Sequence, residues 1–100
     1  MITFRHGASE FKNLTLEYSG DSYYAVSVAA QAVFNAALKA IQLRNPPRLD
    51  IKHGVNYTRI KCEYNQHTAE VALTAICGFE WLAKQCPDEV KVERISNRKV

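Results

Sequence analysis

The 100-residue chain lacks a set of cysteines that could all pair, a strong charge of either sign and a long uninterrupted apolar run. Its cysteines, Cys62, Cys77 and Cys86, are odd in number and lie in apolar stretches without C-x-x-C spacing. That argues against a disulfide framework or a metal site and for a reducing compartment, the cytoplasm. Thirteen basic against ten acidic residues leave a net charge of +3, too slight a tilt to argue nucleic-acid binding by itself. No basic start followed by an apolar run and a small-residue cleavage site is present, so no signal peptide is expected. The longest nearly uncharged stretch, Ser22 to Leu38, is rich in Ala, Ser and Gln. It is shorter than the roughly 20 apolar residues of a membrane span and is expected to be a buried helix. What is present, 47% hydrophobic and 23% charged residues, excludes intrinsic disorder and suits one domain over residues 1–100. Neither a cofactor nor a metal is expected.

The chain repeats itself. Ile2-Thr3-Phe4-Arg5-His6-Gly7 followed by Leu14-Thr15-Leu16-Glu17-Tyr18 is echoed by Leu49-Asp50-Ile51-Lys52-His53-Gly54 followed by Ile60-Lys61-Cys62-Glu63-Tyr64, at an offset of 46 to 47 residues. Each copy leads into a long apolar helix pattern, so the repeat is an internal ββα duplication with too few copies for a solenoid. Period-two alternation predicts the strands. Ile2, Phe4 and His6 share one face, as do Leu14, Leu16 and Tyr18; Leu49, Ile51 and His53; Thr58, Ile60, Cys62 and Tyr64; and Val90 with Val92. One apolar face per strand suits an antiparallel sheet covered on one side. Gly54-Val55-Asn56 fits a hairpin turn.

A first helix is expected from about Ser22 to Gln42, capped by Asp21 or Ser22 and stopped before Pro46-Pro47. A second is expected from about Thr68 to Gln85, stopped by Pro87. Both are apolar over more than the stripe of about 100° that a one-faced surface helix needs. Two explanations stand: the helices pack on each other as well as on the sheet, or a remaining apolar face meets another subunit or partner. Trp81, beside Phe79 and Leu82, is expected to anchor the core. The predicted fold is an α+β two-layer sandwich of order ββαββαβ, a mostly antiparallel sheet with both helices on one face.

Several segments resemble the ribosomal-processing cysteine protease family (Prp, YsxB-like). They are Ala25-Val26-Ser27 with Gln31 and Asn35, the strand ending Ile60-Lys61-Cys62-Glu63, the helix from Ala69 to Ala83, and Cys86-Pro87-Asp88-Glu89 leading to Val90-Lys91-Val92. The resemblance covers residues 14 to 95 and implies the same fold, a bacterial cytoplasmic setting and a homodimer. It also implies chemistry in a Gly-His-Ala segment, a mobile loop and an Asp-x-Val-Cys-Ala-Ala helix start, where a thiolate attacks a carbonyl and histidine is its base. The sequence departs from that pattern. The cysteine position falls on Tyr23 or Tyr24, Asp21 takes the histidine's place within Ser19-Gly20-Asp21, and nearly all of the loop is missing. No catalytic residue carries over.

Other chemistry is sparse. His6 and His53 could sit near one another and near Cys62 as a rearranged Cys–His site; otherwise they cap strand ends while Cys62 is a buried small hydrophobe. Cys77 and Cys86 are expected as core thiols, and His67 as an ordinary helix-start residue. The sheet's open face carries Arg5, Arg48, Lys52, Arg59, Lys61 and Lys91 against Glu17, Asp50, Glu63 and Glu93. That pattern suits cross-strand ion pairs, whereas an RNA platform would need exposed aromatics and has only Tyr57. The basic tail Arg94, Arg98 and Lys99 could touch phosphate. Tyr18, Asp21, Tyr23 and Tyr24 cluster where the protease cleft would lie, as a protein-binding surface or as filler for the missing loop.

The function expected is therefore a non-catalytic, protein-binding relative of the protease, such as a phage or mobile-element inhibitor or an assembly factor, forming homodimers and touching no membrane. A cysteine protease with a Cys62/His53 site and a ribosome- or RNA-associated factor are the alternatives.

Overall fold

Apolar and polar side chains alternate along each strand, and this sorts the sheet into a covered and an open face. A computed structural model describes residues 1–8 and 12–95; Arg98 and Lys99 of the basic tail lie outside the described residues. The elements are β1 (Ile2–Ala8), β2 (Asn13–Gly20), α1 (Tyr24–Arg44), β3 (Asp50–Gly54), β4 (Tyr57–Glu63), α2 (Gln66–Gln85) and β5 (Val90–Arg94). The sheet order is β3-β4-β2-β1-β5. All neighbours are antiparallel except β1 and β5. This is the expected ββαββαβ sandwich.

Ile2, Phe4, Leu14, Leu16, Tyr18, Ile60, Cys62 and Val90 point to the covered face and are buried. Both helices supply the other half of the core. Ala30, Phe34, Ala37 and Ile41 come from α1, and Ala72, Ala75, Phe79 and Leu82 from α2. The helices also pack on each other: a Cβ at Gly78 would stand 2.9 Å from Val33 Cγ1. By length and composition α1 could cross a membrane, but one side of it is committed to this core.

The duplication is visible as pseudo-twofold symmetry about the central pair of strands. Thr15 lies opposite Lys61, and these are the residues that the offset of 46 equates. The buried helix positions Ala30, Phe34 and Ala37 recur as Ala75, Phe79 and Leu82. The outer hairpins break the symmetry. His6 faces Leu16, whereas His53 faces Thr58 rather than Cys62, because β3 and β4 are joined by the tight turn Val55-Asn56, with Asn56 at φ 51°.

The helix starts differ from expectation. Neither Asp21 nor Ser22 caps α1; Tyr23 takes that position without a side-chain hydrogen bond. In α2 the cap is Asn65, and Thr68 is the third helical residue. The Asn65 side chain accepts from the Thr68 N–H at 3.0 Å and the Asn65 N–H donates to Thr68 Oγ1 at 2.8 Å, a reciprocal capping box.

Trp81 is not a core anchor. It is 61% exposed, because α2 buries the stripe of Ala72, Ala75, Phe79 and Leu82 and Trp81 lies on the opposite side. Phe79, fully buried, stacks on Phe4 at 4.2 Å between ring centroids. Cys77, on the same outer side as Trp81, is exposed and is not a core thiol, whereas Cys86 is half-buried and packs against the edge of the core. Phe79→Ala should cost about 3–5 kcal/mol, and Trp81→Ala no more than about 1 kcal/mol. Urea denaturation of dilute protein checks this, and the reverse order of midpoints would refute the core assignment.

Candidate binding site at the start of the first helix

The chain leaves β2 through Gly20, whose φ of 100° places an added Cβ 2.0 Å from the Met1 carbonyl oxygen. Only glycine suits that position, in conformation and in space. The Gly20 N–H donates to the Asn56 carbonyl at 2.9 Å and the Asp21 N–H to the Met1 carbonyl at 3.3 Å. Asp21 Oδ1 then accepts from the Ser22 N–H at 2.8 Å and from the Ser27 hydroxyl at 3.1 Å. The Ser22 hydroxyl donates to the Glu89 carboxylate, just before β5. These bonds hold the turn and present the two tyrosines behind it to solvent: Tyr23 is 59% and Tyr24 83% exposed.

Of the four residues expected to form a binding surface, Asp21, Tyr23 and Tyr24 share this exposed start of α1. Tyr18 does not. It is 5% exposed, because it continues the inward face of Leu14 and Leu16, and its ring lies against Phe34 at 5.6 Å and Phe79 at 6.3 Å. Tyr23 and Tyr24 both reach solvent. Burial holds the Tyr18 phenol above its ordinary value; the Gln31 side chain opposes this and the Asp21 carboxylate adds to it. The Tyr18 hydroxyl is enclosed without a hydrogen bond of normal geometry.

The Tyr23 phenol is also held up, chiefly by the neighbouring Cys86 sulfur and then by partial desolvation, with a further contribution from Glu89. A phenol shifted upward stays protonated at neutral pH and is a poor nucleophile. Cys86 and Glu89 had no visible link to the helix start in the sequence. What joins them is the parallel pairing of β5 with β1, where Ile2 lies opposite Val90.

The structure does not assemble a site from Cys62, His53 and His6. Cys62 is 1% exposed. Burial, helped by Glu63, pushes its thiol up to about 11. His53 lies on the edge strand β3 opposite Thr58, with Nδ1 3.3 Å from Thr58 Oγ1. His6 lies on β1, separated from β4 by β2, and stacks on Phe4 at 5.8 Å. Neither histidine is the last residue of its strand; His6 is paired across to Leu16 and His53 to Thr58.

The open face carries the expected ion pairs. Glu17 and Glu93 flank Arg5 at 3.3 and 3.4 Å, Asp50 pairs with Arg59 at 3.5 Å, Glu63 with Arg48 at 3.8 Å and Glu93 with Lys91 at 2.8 Å. Lys91 holds the Glu93 carboxyl below its ordinary range. Tyr57 donates to Glu17 at 2.8 Å, and that bond to a carboxylate raises its phenol. A shallow hollow lined by Ala8, Lys12, Tyr64 and Asn65 lies at the other end of the β1–β2 hairpin from Gly20. Among the described residues no three His, Cys, Asp or Glu side chains gather where a metal ion could sit.

No protein-family model matches the sequence, and no curated protein sequence matches it. Among solved structures, the essential ribosomal processing protease Prp from Staphylococcus aureus, with a covalently linked product peptide, superposes with a TM-score of 0.77 at 15% identity over 95% of this chain and 100% of that one. The same protease with a substrate peptide gives 0.76 at 16% identity over the same shares. A hypothetical protein from Staphylococcus aureus gives 0.69 at 14% identity, again over 95% and 100%. The chain therefore has the fold of the Prp proteases, as the resemblance in its sequence implied, and at such identity the likeness is one of fold.

Two outcomes are expected. In the folded protein at neutral pH, iodoacetamide should modify Cys77 first, Cys86 more slowly and Cys62 only after unfolding, as peptide mapping would show; early loss of Cys62 would contradict its burial. His6 is held below its ordinary value of 6.5 by burial and then by Arg94. The unfolded chain therefore binds that proton more tightly than the folded one, and stability is lost as pH falls through 6.5 toward the lower folded value. The urea midpoint should drop over that window, and His6→Phe should reduce the drop; an unchanged slope would refute the assignment.

Proposed function

We propose that the chain is a non-catalytic relative of the ribosomal processing protease, working in a bacterial cytoplasm by binding another protein at the start of α1. The observation that carries this reading is the pair of exposed tyrosines, Tyr23 and Tyr24, beside the Asp21 carboxylate. These are the positions where the family resemblance implies a thiol and an imidazole. A cysteine protease needs a thiolate, a base and an oxyanion site together. Two tyrosines and a carboxylate supply no thiol there. Tyrosines do make efficient contacts, because they bury much area with few rotatable bonds.

The solved proteins of this fold hold a product and a substrate peptide, so an extended segment of a partner is the natural occupant. The carboxylates interleaved among the cations of the open sheet face favour a protein partner over nucleic acid. An inhibitor or assembly factor encoded by a phage or mobile element is the role that suits a small binding domain of this kind.

The test is incubation with ribosomal-protein precursors and a proteome-derived peptide library, read by mass spectrometry and by binding. Binding without cleavage is expected, weakened about tenfold by Tyr23→Ala or Tyr24→Ala, as for contact residues at an interface. Specific cleavage that disappears in Cys62→Ala or Cys86→Ala would overturn the reading and establish a protease with a rearranged site.

A further inference from the structure

The charges of the open sheet face are not spread evenly. On β1, β2 and β5 the cations Arg5 and Lys91 are matched by Glu17 and Glu93, and each of these residues lies in an ion pair. On β3, β4 and the residues leading into β3, the cations Arg48, Lys52, Arg59 and Lys61 meet only Asp50 and Glu63. Glu63 takes Arg48 at 3.8 Å and Asp50 takes Arg59 at 3.5 Å. Lys52 and Lys61 are exposed and have no ion-pair partner among the described residues. The positive surplus of the whole face therefore sits in one corner, toward the free edge formed by β3.

The strand register gives that corner a shape. Lys52 stands directly opposite Arg59, and like charges so placed repel across a strand pair. Arg59 is half-buried, and its Nε is enclosed without a hydrogen-bond partner. Lys61 has Asp50 on one side and Thr15 on the other, so it lies diagonally from Lys52, one strand over and two residues along. Diagonal neighbours are about 7–8 Å apart, close to the roughly 6.6 Å between alternate residues of an extended chain. We propose that this corner binds an acidic extended segment of a partner protein, two of whose carboxylates, spaced Glu/Asp-x-Glu/Asp, are taken by Lys52 and Lys61, with Arg59 beside both.

Charge complementarity selects the occupant. A carboxylate set between Lys52 and Arg59 removes a repulsion that the free protein carries, and it offers the guanidinium an acceptor. A nucleic-acid strand fits less well. Its phosphates need a continuous basic track and its bases a stacking surface. Here Asp50 and Glu63 interrupt the track, the cations on β1 and β5 are already matched, and the Tyr57 ring is tied through its hydroxyl to Glu17 at 2.8 Å. The corner lies on the face of the sheet turned away from both helices, so the inference is independent of the binding surface proposed at the start of α1.

Fluorescence anisotropy on the full chain tests it, with a labelled peptide of alternating glutamate and threonine, the same peptide with glutamine for glutamate, and single-stranded poly(U) as probes. The glutamate peptide should bind saturably and lose affinity as salt is raised, and the glutamine peptide should not bind. Lys52→Glu and Lys61→Glu should each weaken binding by about fivefold, the scale of one exposed ion pair. Lys91→Glu, in the matched part of the face, and Tyr23→Ala, on the other surface, should leave it unchanged. Lys52→Glu should at the same time raise the urea midpoint of the free protein, because it turns a repelling cross-strand pair into an attracting one; a role confined to folding would not move binding and stability in opposite directions. No saturable binding at millimolar peptide would overturn the proposal. So would equal binding of the glutamine peptide, a loss in Lys91→Glu as large as in Lys52→Glu, or tighter binding of poly(U) than of the glutamate peptide, which would make the corner a nucleic-acid contact.

Discussion

Four aromatic rings hold this fold together, one from each of four elements. Phe4 of β1 stacks on Phe79 of α2 with its ring parallel, and Phe34 of α1 meets both edge-on at 6.2 and 6.5 Å. Tyr18 of β2 closes the group against Phe34 and Phe79. Rings in stacked and edge-to-face contact contribute about 0.5–1.5 kcal/mol per pair beyond the area they bury. They also fix how closely the layers approach. Four of the other buried positions on the helices are alanines, Ala30, Ala37, Ala72 and Ala75, which leaves room for the rings to interdigitate. Gly78, next to Phe79, lets Val33 come within a distance that a side chain would forbid. Phe34 and Phe79 occupy equivalent places in the two ββα halves, so the duplication supplied both helical members of the group.

Strand alternation was a reliable guide because burial on one face of a sheet admits a single phase. It even contained the correct placement of Tyr18: a residue in step with Leu14 and Leu16 must point inward and cannot also line a surface groove. The helices were harder to read. In α2 the residues Phe79 and Trp81 are both large and apolar, and two overlapping apolar stripes fit one helix. The discriminating signal was charge, since Glu70 and Lys84 lie on the Trp81 side. At the helix start the sequence pointed to Asp21, Tyr23 and Tyr24, but Glu89 and Cys86 arrive there only through the parallel pairing of β5 with β1. A pairing between strands at opposite ends of the chain leaves no local pattern.

The chemistry of the α1 start is set by its charges. Asp21 accepts from the Ser22 N–H and the Ser27 hydroxyl, and Glu89 from the Ser22 hydroxyl. Two carboxylates at this point suit a helix N-terminus electrostatically. They also oppose ionisation of nearby phenols, and Asp21 and Glu89 help to hold Tyr18 and Tyr23 up. An enzyme activating a nucleophile would arrange the opposite field, with a cation or an imidazole beside the group to be deprotonated. The field at this helix start holds the Tyr23 phenol in its neutral form.

The seam between β1 and β5 has a kinetic meaning. The β1–β2 and β3–β4 hairpins join neighbouring strands and can form early, whereas the central pairing spans 46 residues at Thr15 and Lys61. The β1–β5 pairing, from Ile2 to Val90, closes the longest loop of all, and loop closure costs more entropy as the loop lengthens. Of the sheet's strand pairings it carries the largest closure cost. Because Glu89 borders that seam and holds Ser22, the return of β5 to β1 adds one of the bonds that order the tyrosine-bearing turn. Amide exchange at the head of α1 thus reports on a clasp whose two halves lie at opposite ends of the polypeptide.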